Sequence, residues 1–255
     1  MMLHHKITGQ GFPIVILHGL FGSLDNWMSI AKHLADAGFM PVMLDLRDHG
    51  KSPHTDAINY PIMAEDVYHF MESNWIYEAI ILGHSMGGKV AMTLTDLYPQ
   101  VVSKLIVADI SPRKYLEGHS NEFDALFSLD LTKLESRKEA EEHLNKTLKN
   151  PDTVQFFLKN LARKPENNFE WKFNLSLLYS HYPHILDAVH FHNEVKTPTL
   201  FLKGGRSPYI QVEDETLIYK CFRQVEIQTI PNVGHWLHAE APNAFLKAVL
   251  NFIED

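Results

Sequence analysis

The sequence has little cysteine, no long apolar run and no excess of basic charge, and each absence excludes a class of protein. Its 255 residues include one cysteine, Cys221, so an intramolecular disulfide framework is excluded. The first strongly apolar run, 12–17, is far too short to span a membrane. The net charge of −8 argues against nucleic acid, because phosphate binding requires a basic face. We therefore expect a cytoplasmic protein with no membrane span, no nucleic-acid partner and no obligate protein partner.

Histidine is abundant, but the spacing that marks a metal site is missing. The sixteen histidines are scattered, and none falls in a pattern such as H-E-x-x-H. We expect neither a metal nor another cofactor. The rest of the composition is that of an ordinary globular protein, with 45% hydrophobic and 21% charged residues. The length suits one large domain, or a core domain that carries an insertion.

Short apolar runs alternate with helical patterns in two parts of the chain. Buried strands are predicted at 13–17, 40–44, 79–82, 104–108, 199–203 and 225–230. Helices are predicted from Ser23 or Asp25 to about 37, and at about 61–72, 86–98, 212–221 and 242–253. This alternation predicts an α/β fold with a mostly parallel sheet flanked by helices.

The stretch 111–194 breaks this rhythm, because it contains helical patterns without a convincing strand. Amphipathic segments predict helices at about 122–129, 136–148, 152–161 and 170–182. The sequence therefore predicts an α/β core of residues 1–110 and 195–255, with an all-helical cap, 111–194, inserted into it.

A nucleophile is indicated by Gly83-His84-Ser85-Met86-Gly87, which matches the pattern G-x-S-x-G. The pattern places a serine on a sharp turn between a strand and a helix, and the glycines leave room where side chains would collide. A predicted strand precedes the motif and a predicted helix follows it, which is the setting that the motif requires. We predict that Ser85 is the nucleophile, and that His84 gives local support.

The general base and the oxyanion donors are predicted on loops at the same edge of the sheet. His235 lies between the last strand and the last helix and follows Ser85 in the chain, as the order Ser…Asp…His requires. The loop that begins with His18-Gly19 directly follows the first buried strand. We expect the backbone amides of Leu20 and Met86 to stabilise an oxyanion, with the amide of Phe21 as an alternative to Leu20.

Together these segments resemble the α/β-hydrolase superfamily. The finer patterns HGLFGSLDNW, LRDHGKSP, GHSMGGK, DISP and GHWLHAEAP are similar to the small bacterial YbfF-type esterases and their mammalian mitochondrial relatives. The resemblance spans nearly the whole chain. It implies an α/β-hydrolase fold with a helical cap, and hydrolysis of esters or acyl thioesters.

The acidic member of the triad departs from the pattern of this superfamily. Most members carry it in a G-x-x-D segment, but here that segment is Gly204-Gly205-Arg206-Ser207, and serine cannot carry the charge. Some members place the acid after an earlier strand, where this chain has Asp109. We predict Asp109 as the acid, with Asp214, Asp187 or a Ser–His dyad as alternatives.

The predicted reaction is hydrolysis of a small or medium acyl ester or thioester through an acyl-enzyme, with acyl-coenzyme A among the candidate substrates. Phe21, Tyr209 and Trp236 are predicted to line the substrate pocket, and their aromatic rings favour an acyl or aryl group. Cations beside the predicted site either attract a carboxylate or a coenzyme A phosphate, or are solvated surface charges; they are Arg113, Lys114 and Arg206. The alternatives are a C–C bond hydrolase, a perhydrolase and a low-turnover ligand receptor.

Overall fold

The computed structural model describes residues 1–116, 118–165 and 168–254. Residues 117, 166 and 167 of the predicted cap and residue 255 of the predicted core lie outside these ranges. Within the ranges, the strands are β1 His5–Ile7, β2 Pro13–Leu17, β3 Met40–Leu44, β4 Ala79–His84, β5 Val102–Ala108, β6 Leu161–Arg163, β7 Phe169–Trp171, β8 Thr199–Gly204 and β9 Val225–Ile230. The α-helices are α1 Met28–Asp36, α2 Tyr60–Ser73, α3 Met86–Leu97, α4 Ser120–Ser128, α5 Arg137–Thr147, α6 Pro151–Lys159, α7 Leu175–Ser180, α8 Tyr182–Leu186, α9 Val212–Cys221, α10 Leu237–Glu240 and α11 Pro242–Glu254.

Seven strands form one sheet in the order β1-β3-β2-β4-β5-β8-β9. The six strands from β2 to β9 in this sheet pair in parallel, and β1 pairs with β3 in antiparallel fashion. The six predicted strands are therefore confirmed, with shifts of up to two residues at their ends. Strand β1 was not predicted, because three residues carry too little pattern to be distinguished from a loop.

Both faces of the sheet are buried, which explains why its central strands are continuous apolar runs. Successive side chains point to opposite faces, so Ile81 of β4 joins one buried cluster while Ile80 and Leu82 join the other. Helices α2 and α3 pack on the first face, and α1 and α11 pack on the second. Local signals fix where helices begin. The side chain of Asn59, for example, accepts from the Ile62 amide at 3.0 Å, one residue before α2.

The parallel register brings the carboxyl ends of five strands to one edge of the sheet. Ser85 directly follows β4, and Asp109 directly follows β5. The loop with Leu20 follows β2, Ser207 lies three residues after β8, and His235 lies five residues after β9. Ligands of open α/β sheets bind beyond this edge, so the fold collects the predicted functional residues where chemistry is expected.

The predicted all-helical composition of the cap is wrong. Strands β6 and β7 form an antiparallel pair within it, with Leu161 opposite Trp171. Leu161, Phe169 and Trp171 are buried while Glu170 is exposed, so burial alternates along the pair as in a strand. The predicted helix at 170–182 is consequently replaced by β7 and by two short helices, α7 and α8, the second of which has Pro183 in its first turn. The three other cap helices agree with the prediction within two residues.

Two chain segments join the predicted cap to the core, and we call them the connectors: residues 110–116 and 185–195. They are hydrogen-bonded to each other, since Tyr115 N–H donates to Leu186 O and Val189 N–H donates to Pro112 O, both at 2.8 Å. The division into core and cap at residues 111 and 194 stays a prediction. In the ranges that the structure describes, no helix has the length and apolar character needed to cross a membrane.

Substitution of Phe201 tests how much the core of the sheet contributes to stability. Its side chain is fully buried on β8 and contacts Phe222 edge to face, with ring centroids 5.2 Å apart. We expect Phe201→Ala to lower the free energy of unfolding by about 3–5 kcal/mol, because it removes buried apolar surface and leaves a cavity. Phe127→Ala is the control, since Phe127 is 48% exposed. Urea denaturation measures both, and a loss below about 1 kcal/mol for Phe201→Ala would contradict this account.

Candidate active site

Ser85 occupies a strained turn between β4 and α3. Its backbone has φ 52° and ψ −121°, a region that residues other than glycine rarely adopt. A Cβ atom on Gly83 would lie 2.2 Å from Gly87 O, and one on Gly87 would lie 2.4 Å from Leu17 O. Both glycines are therefore required by close backbone approach. Local sterics thus explain the G-x-S-x-G pattern, and the turn holds Ser85 at the edge of the sheet.

Asp109 is the carboxylate that contacts the predicted base. It is fully buried, and its Oδ2 lies 2.7 Å from His235 Nδ1. Since the ionised carboxylate is an acceptor only, the imidazole donates through Nδ1–H, which leaves Nε2 as its acceptor. Asp109 also has a positive φ of 54°, and its Oδ1 accepts from the Gly204 amide at 2.9 Å.

The two alternative acids lie elsewhere. One oxygen of Asp214 is 2.8 Å from Arg113 Nε, and the other accepts from the Gln211 amide at the start of α9. Asp187 accepts from the amide of Ala188 and lies 4.0 Å from Lys114 Nζ. Each carboxylate thus serves a local structural contact, and neither pairs with His235.

Ser207, which stands where the usual pattern has the acid, contacts Asp109. Its buried hydroxyl donates to Asp109 Oδ2, the same oxygen that His235 contacts. Sequence reasoning treated this serine only as a missing carboxylate and assigned it no role. The signal that was available is its position, because a hydroxyl three residues after β8 is well placed to reach the end of the neighbouring strand β5.

The histidines around His235 are held neutral. Burial lowers the pKa of His238 to about 3 and that of His119 to about 4, and it lowers the pKa of His84 well below its ordinary value. His84 donates through Nε2 to the backbone oxygen of His235 at 2.9 Å, which is the local support expected of it. The ring of His235 stacks on Tyr209, with centroids 3.9 Å apart. These contacts fix the orientation of the imidazole.

The loop with Leu20 lies against Ser85. A Cβ atom on Gly19 would be 3.2 Å from Ser85 Cβ. The amide of Phe21, the alternative oxyanion donor, instead donates to His49 Nε2 at 3.3 Å. Leu20 and Met86 line the same cavity as Ser85. The structure therefore brings Leu20, Met86 and Ser85 together and gives the Phe21 amide a partner of its own.

Two cavities meet at Ser85. The smaller one, which we call the acyl chamber, has a volume of about 400 Å³. It is lined mainly by apolar and tyrosine side chains, among them Leu20, Tyr60, Met86, Ile110, Tyr115, Tyr182 and Tyr209. The larger one, which we call the outer cavity, has a volume of about 1080 Å³ and includes His235 in its lining. Ser85, Leu20, His119 and Tyr209 border both cavities.

The three residues predicted to line the substrate pocket have different surroundings. Tyr209 lines both cavities, while Phe21 and Trp236 line the outer one. Trp236 stacks on Phe156 of the predicted cap with centroids 5.6 Å apart. Phe21 is almost fully buried, and its ring packs against Phe123, Phe157 and Phe173 at 5.1–5.5 Å. Phe21 therefore also joins the core to the predicted cap.

The surrounding loops are built from buried polar contacts. Asp45, which directly follows β3, accepts from the amides of Leu24 and Lys51 at 2.8 and 2.9 Å. Of the cations proposed to attract an anion, Arg206 lies 3.4 Å from Glu240 at the outer cavity. Among the residues that the structure describes, no group of three or more histidine, cysteine or acidic side chains has the arrangement of a metal site.

Comparisons with known proteins agree with this geometry. The alpha/beta hydrolase fold family matches residues 13–242. A putative esterase/lipase of Haemophilus influenzae is 39% identical over 241 residues, which cover 94% of this chain and 82% of that protein. Esterase YbfF of Escherichia coli is 35% identical over 95% of this chain and 93% of its own length. A solved structure described as a marine microorganism esterase is 40% identical, with a TM-score of 0.96 over 98% of this chain and 99% of that one.

These matches confirm the resemblance to YbfF-type esterases and the predicted α/β-hydrolase fold. They also confirm the predicted activity class, since the relatives are named esterases or lipases. The strained turn at Ser85 and the cavities above it are what an ester hydrolase requires. The chain is an ester hydrolase, and it belongs to the alpha/beta hydrolase fold family.

Proposed function

We propose that the chain hydrolyses esters and acyl thioesters of small or medium acyl groups through an acyl-enzyme formed on Ser85, with His235 as base and Asp109 as acid. The 2.7 Å contact between His235 Nδ1 and Asp109 Oδ2 carries this proposal. It supports the assignment because a buried carboxylate both selects the imidazole tautomer that accepts a proton at Nε2 and stabilises the imidazolium that forms.

In the acylation step, His235 Nε2 takes the hydroxyl proton as Ser85 Oγ bonds to the acyl carbon. The carbonyl oxygen becomes an oxyanion, which the amides of Leu20 and Met86 stabilise from two sides. The tetrahedral intermediate then collapses, the bond to the leaving oxygen or sulfur breaks, and His235 returns its proton to that atom. In deacylation, His235 takes a proton from water, and the hydroxide attacks the acyl carbon. The carboxylic acid product then leaves as Ser85 regains its proton from His235.

The two cavities divide the substrate at the scissile bond. His235 lines the outer cavity and must protonate the leaving group, so the leaving group occupies that cavity. The acyl group then occupies the acyl chamber, whose volume of about 400 Å³ suits a small or medium group. The hydroxyls of Tyr60 and Tyr115 donate to backbone oxygens, so these residues present mainly their rings to the acyl group. The expected cytoplasmic location and absence of obligate partners stay predictions.

Removal of the nucleophile tests the mechanism directly. We expect Ser85→Ala to lower kcat on 4-nitrophenyl esters, from acetate to palmitate, by at least about 10⁴-fold, because no acyl-enzyme forms. Ser180→Ala is the control, since Ser180 is an exposed serine at the end of α7. Steady-state kinetics across the series also give the preferred acyl length. Retention of more than a tenth of the wild-type rate by Ser85→Ala would exclude the serine mechanism.

The acid is tested by a charge-neutral replacement. We expect Asp109→Asn to lower kcat by about 10³–10⁴-fold, because the amide no longer stabilises the imidazolium and can favour the wrong tautomer. Asp214→Asn, at the principal alternative acid, is expected to lower kcat by less than tenfold. The far-ultraviolet circular dichroism of both variants checks that each has folded. The opposite order of effects would transfer the acid role to Asp214.

Ser207 is proposed as a positioning residue for Asp109. We expect Ser207→Ala to lower kcat roughly tenfold with KM nearly unchanged, because a hydrogen bond to a charged group contributes about 1.5–3 kcal/mol. Ser207→Thr keeps the hydroxyl and is expected to restore most of the rate. If Thr and Ala at this position gave the same kcat, the hydroxyl would have no part in positioning the acid.

A further inference from the structure

The two cavities that meet at Ser85 differ in charge. The described residues that line the acyl chamber include two cations, Lys89 and Arg113, and no aspartate or glutamate. The charged residues lining the outer cavity are four acids and two bases, namely Asp25, Glu122, Asp152, Glu240, Lys159 and Arg206. In a chain of net charge −8, a chamber whose charged lining residues are all cations, among those that the structure describes, is a local feature that needs an explanation.

Lys89 places a cation close to the nucleophile. It follows Ser85 by four residues at the start of α3, so both lie on the same face of the helix about one turn apart. Its side chain is almost fully buried. The ammonium donates to three backbone oxygens, those of Arg113 at 2.8 Å, Leu186 at 3.5 Å and Asp187. It lies 4.8 Å from the centre of the Tyr115 ring.

The described part of the chain supplies no carboxylate partner for this ammonium. None of its acidic side chains lies within 4.0 Å of Lys89 Nζ. Asp187 contacts Lys89 through its backbone oxygen, and its more distant carboxylate offsets only part of the effect of burial on the pKa of Lys89. Burial without an ion pair is unfavourable for a cation, and it lowers the pKa of Lys89 to about 7. Carbonyl dipoles offset only part of the lost hydration, so a negative charge brought into the chamber would stabilise the ammonium further.

Arg113 differs from Lys89 in this respect. Its guanidinium lies 2.8 Å from a carboxylate oxygen of Asp214 and stacks on the Tyr115 ring at 3.9 Å. Its charge is therefore largely balanced by the protein. Of the two cations of the chamber, Lys89 is the one whose charge the described residues leave without an ionic partner.

We propose that the preferred substrates carry a carboxylate at the far end of the acyl group, and that Lys89 recognises it. Such substrates are half-esters or half-thioesters of dicarboxylic acids, with a leaving group that is not strongly anionic. Of the four acids around the outer cavity, Asp25 and Glu240 are ion-paired with Lys172 and Arg206. Glu122 and Asp152 favour this orientation, because they repel the substrate carboxylate from the side of the leaving group. The proposal rests on the acyl-enzyme mechanism and on the assignment of the acyl group to the chamber.

The experiment compares two esters that differ only at the far end of a six-carbon acyl group: mono-4-nitrophenyl adipate and 4-nitrophenyl hexanoate. For the wild type we expect kcat/KM to be at least about tenfold higher for the adipate, since a carboxylate near a buried ammonium gains Coulomb energy that a methyl group cannot supply. Lys89→Met, which keeps the length and apolar character of the stem, is expected to lower that ratio at least about tenfold. Lys114→Met is the matched control, because Lys114 is an exposed cation that does not line the chamber.

The outcomes separate recognition from structural support. Equal or greater preference for hexanoate in the wild type overturns the proposal. Equal losses on both esters in Lys89→Met also overturn it, because they indicate that the lysine only holds the connectors. If that variant does not fold, calorimetry with the Ser85→Ala protein decides: tighter binding of adipate than of hexanoate supports the proposal, and equal binding overturns it. If the wild type hydrolyses neither ester, the acyl-enzyme mechanism itself fails, and this proposal fails with it.

Discussion

The geometry of the site depends on one fully buried carboxylate, Asp109. A buried anion is tolerated when hydrogen-bond donors replace the water that it has lost. Asp109 receives donors from His235, from the Gly204 amide and from the Ser207 hydroxyl. His235 follows β9, Gly204 ends β8 and Ser207 follows β8, while Asp109 itself follows β5. One carboxylate therefore joins the ends of three neighbouring strands, and the imidazole is fixed at the point where these contacts converge.

The strained turn at Ser85 depends on a different constraint, which is steric. Its backbone cannot relax, because Ser85 N–H donates to Ala108 O at 3.0 Å and Gly88 N–H donates to Ser85 O at 2.8 Å. Glycine is needed at 83 and 87 because neighbouring backbone atoms occupy the space of a Cβ atom. Since these requirements impose glycine at fixed spacing on either side of Ser85, the strained turn could be predicted from the sequence. The strands could be predicted for a related reason, because burial on both faces requires continuous apolar runs.

The features that the sequence left open or missed depend on contacts between distant residues or belong to very short elements. The sequence offered Asp109, Asp187 and Asp214 as acids, and only the pairing of β5 with β8, and of β8 with β9, decides which one meets His235. Ser207 was interpreted as a loss, because its carboxylate partner lies 98 residues away in the chain. Strands β6 and β7 have three residues each, which is too short for an alternating pattern to outweigh the helical signals around it.

The position of the predicted cap and the charge of the acyl chamber are coupled through α3. Lys89 donates to the backbone oxygens of Arg113 and Asp187, which belong to different connectors. One ammonium therefore holds both connectors over the chamber and also supplies the chamber with its unbalanced charge. Because Lys89 lies in the first turn of α3 and Ser85 directly precedes that helix, the backbone of Lys89 keeps a fixed distance from Ser85 even if the cap moves. A cation carried by the cap would change its distance from Ser85 whenever the cap moved. The position of Lys89 on α3 therefore favours selection by acyl length.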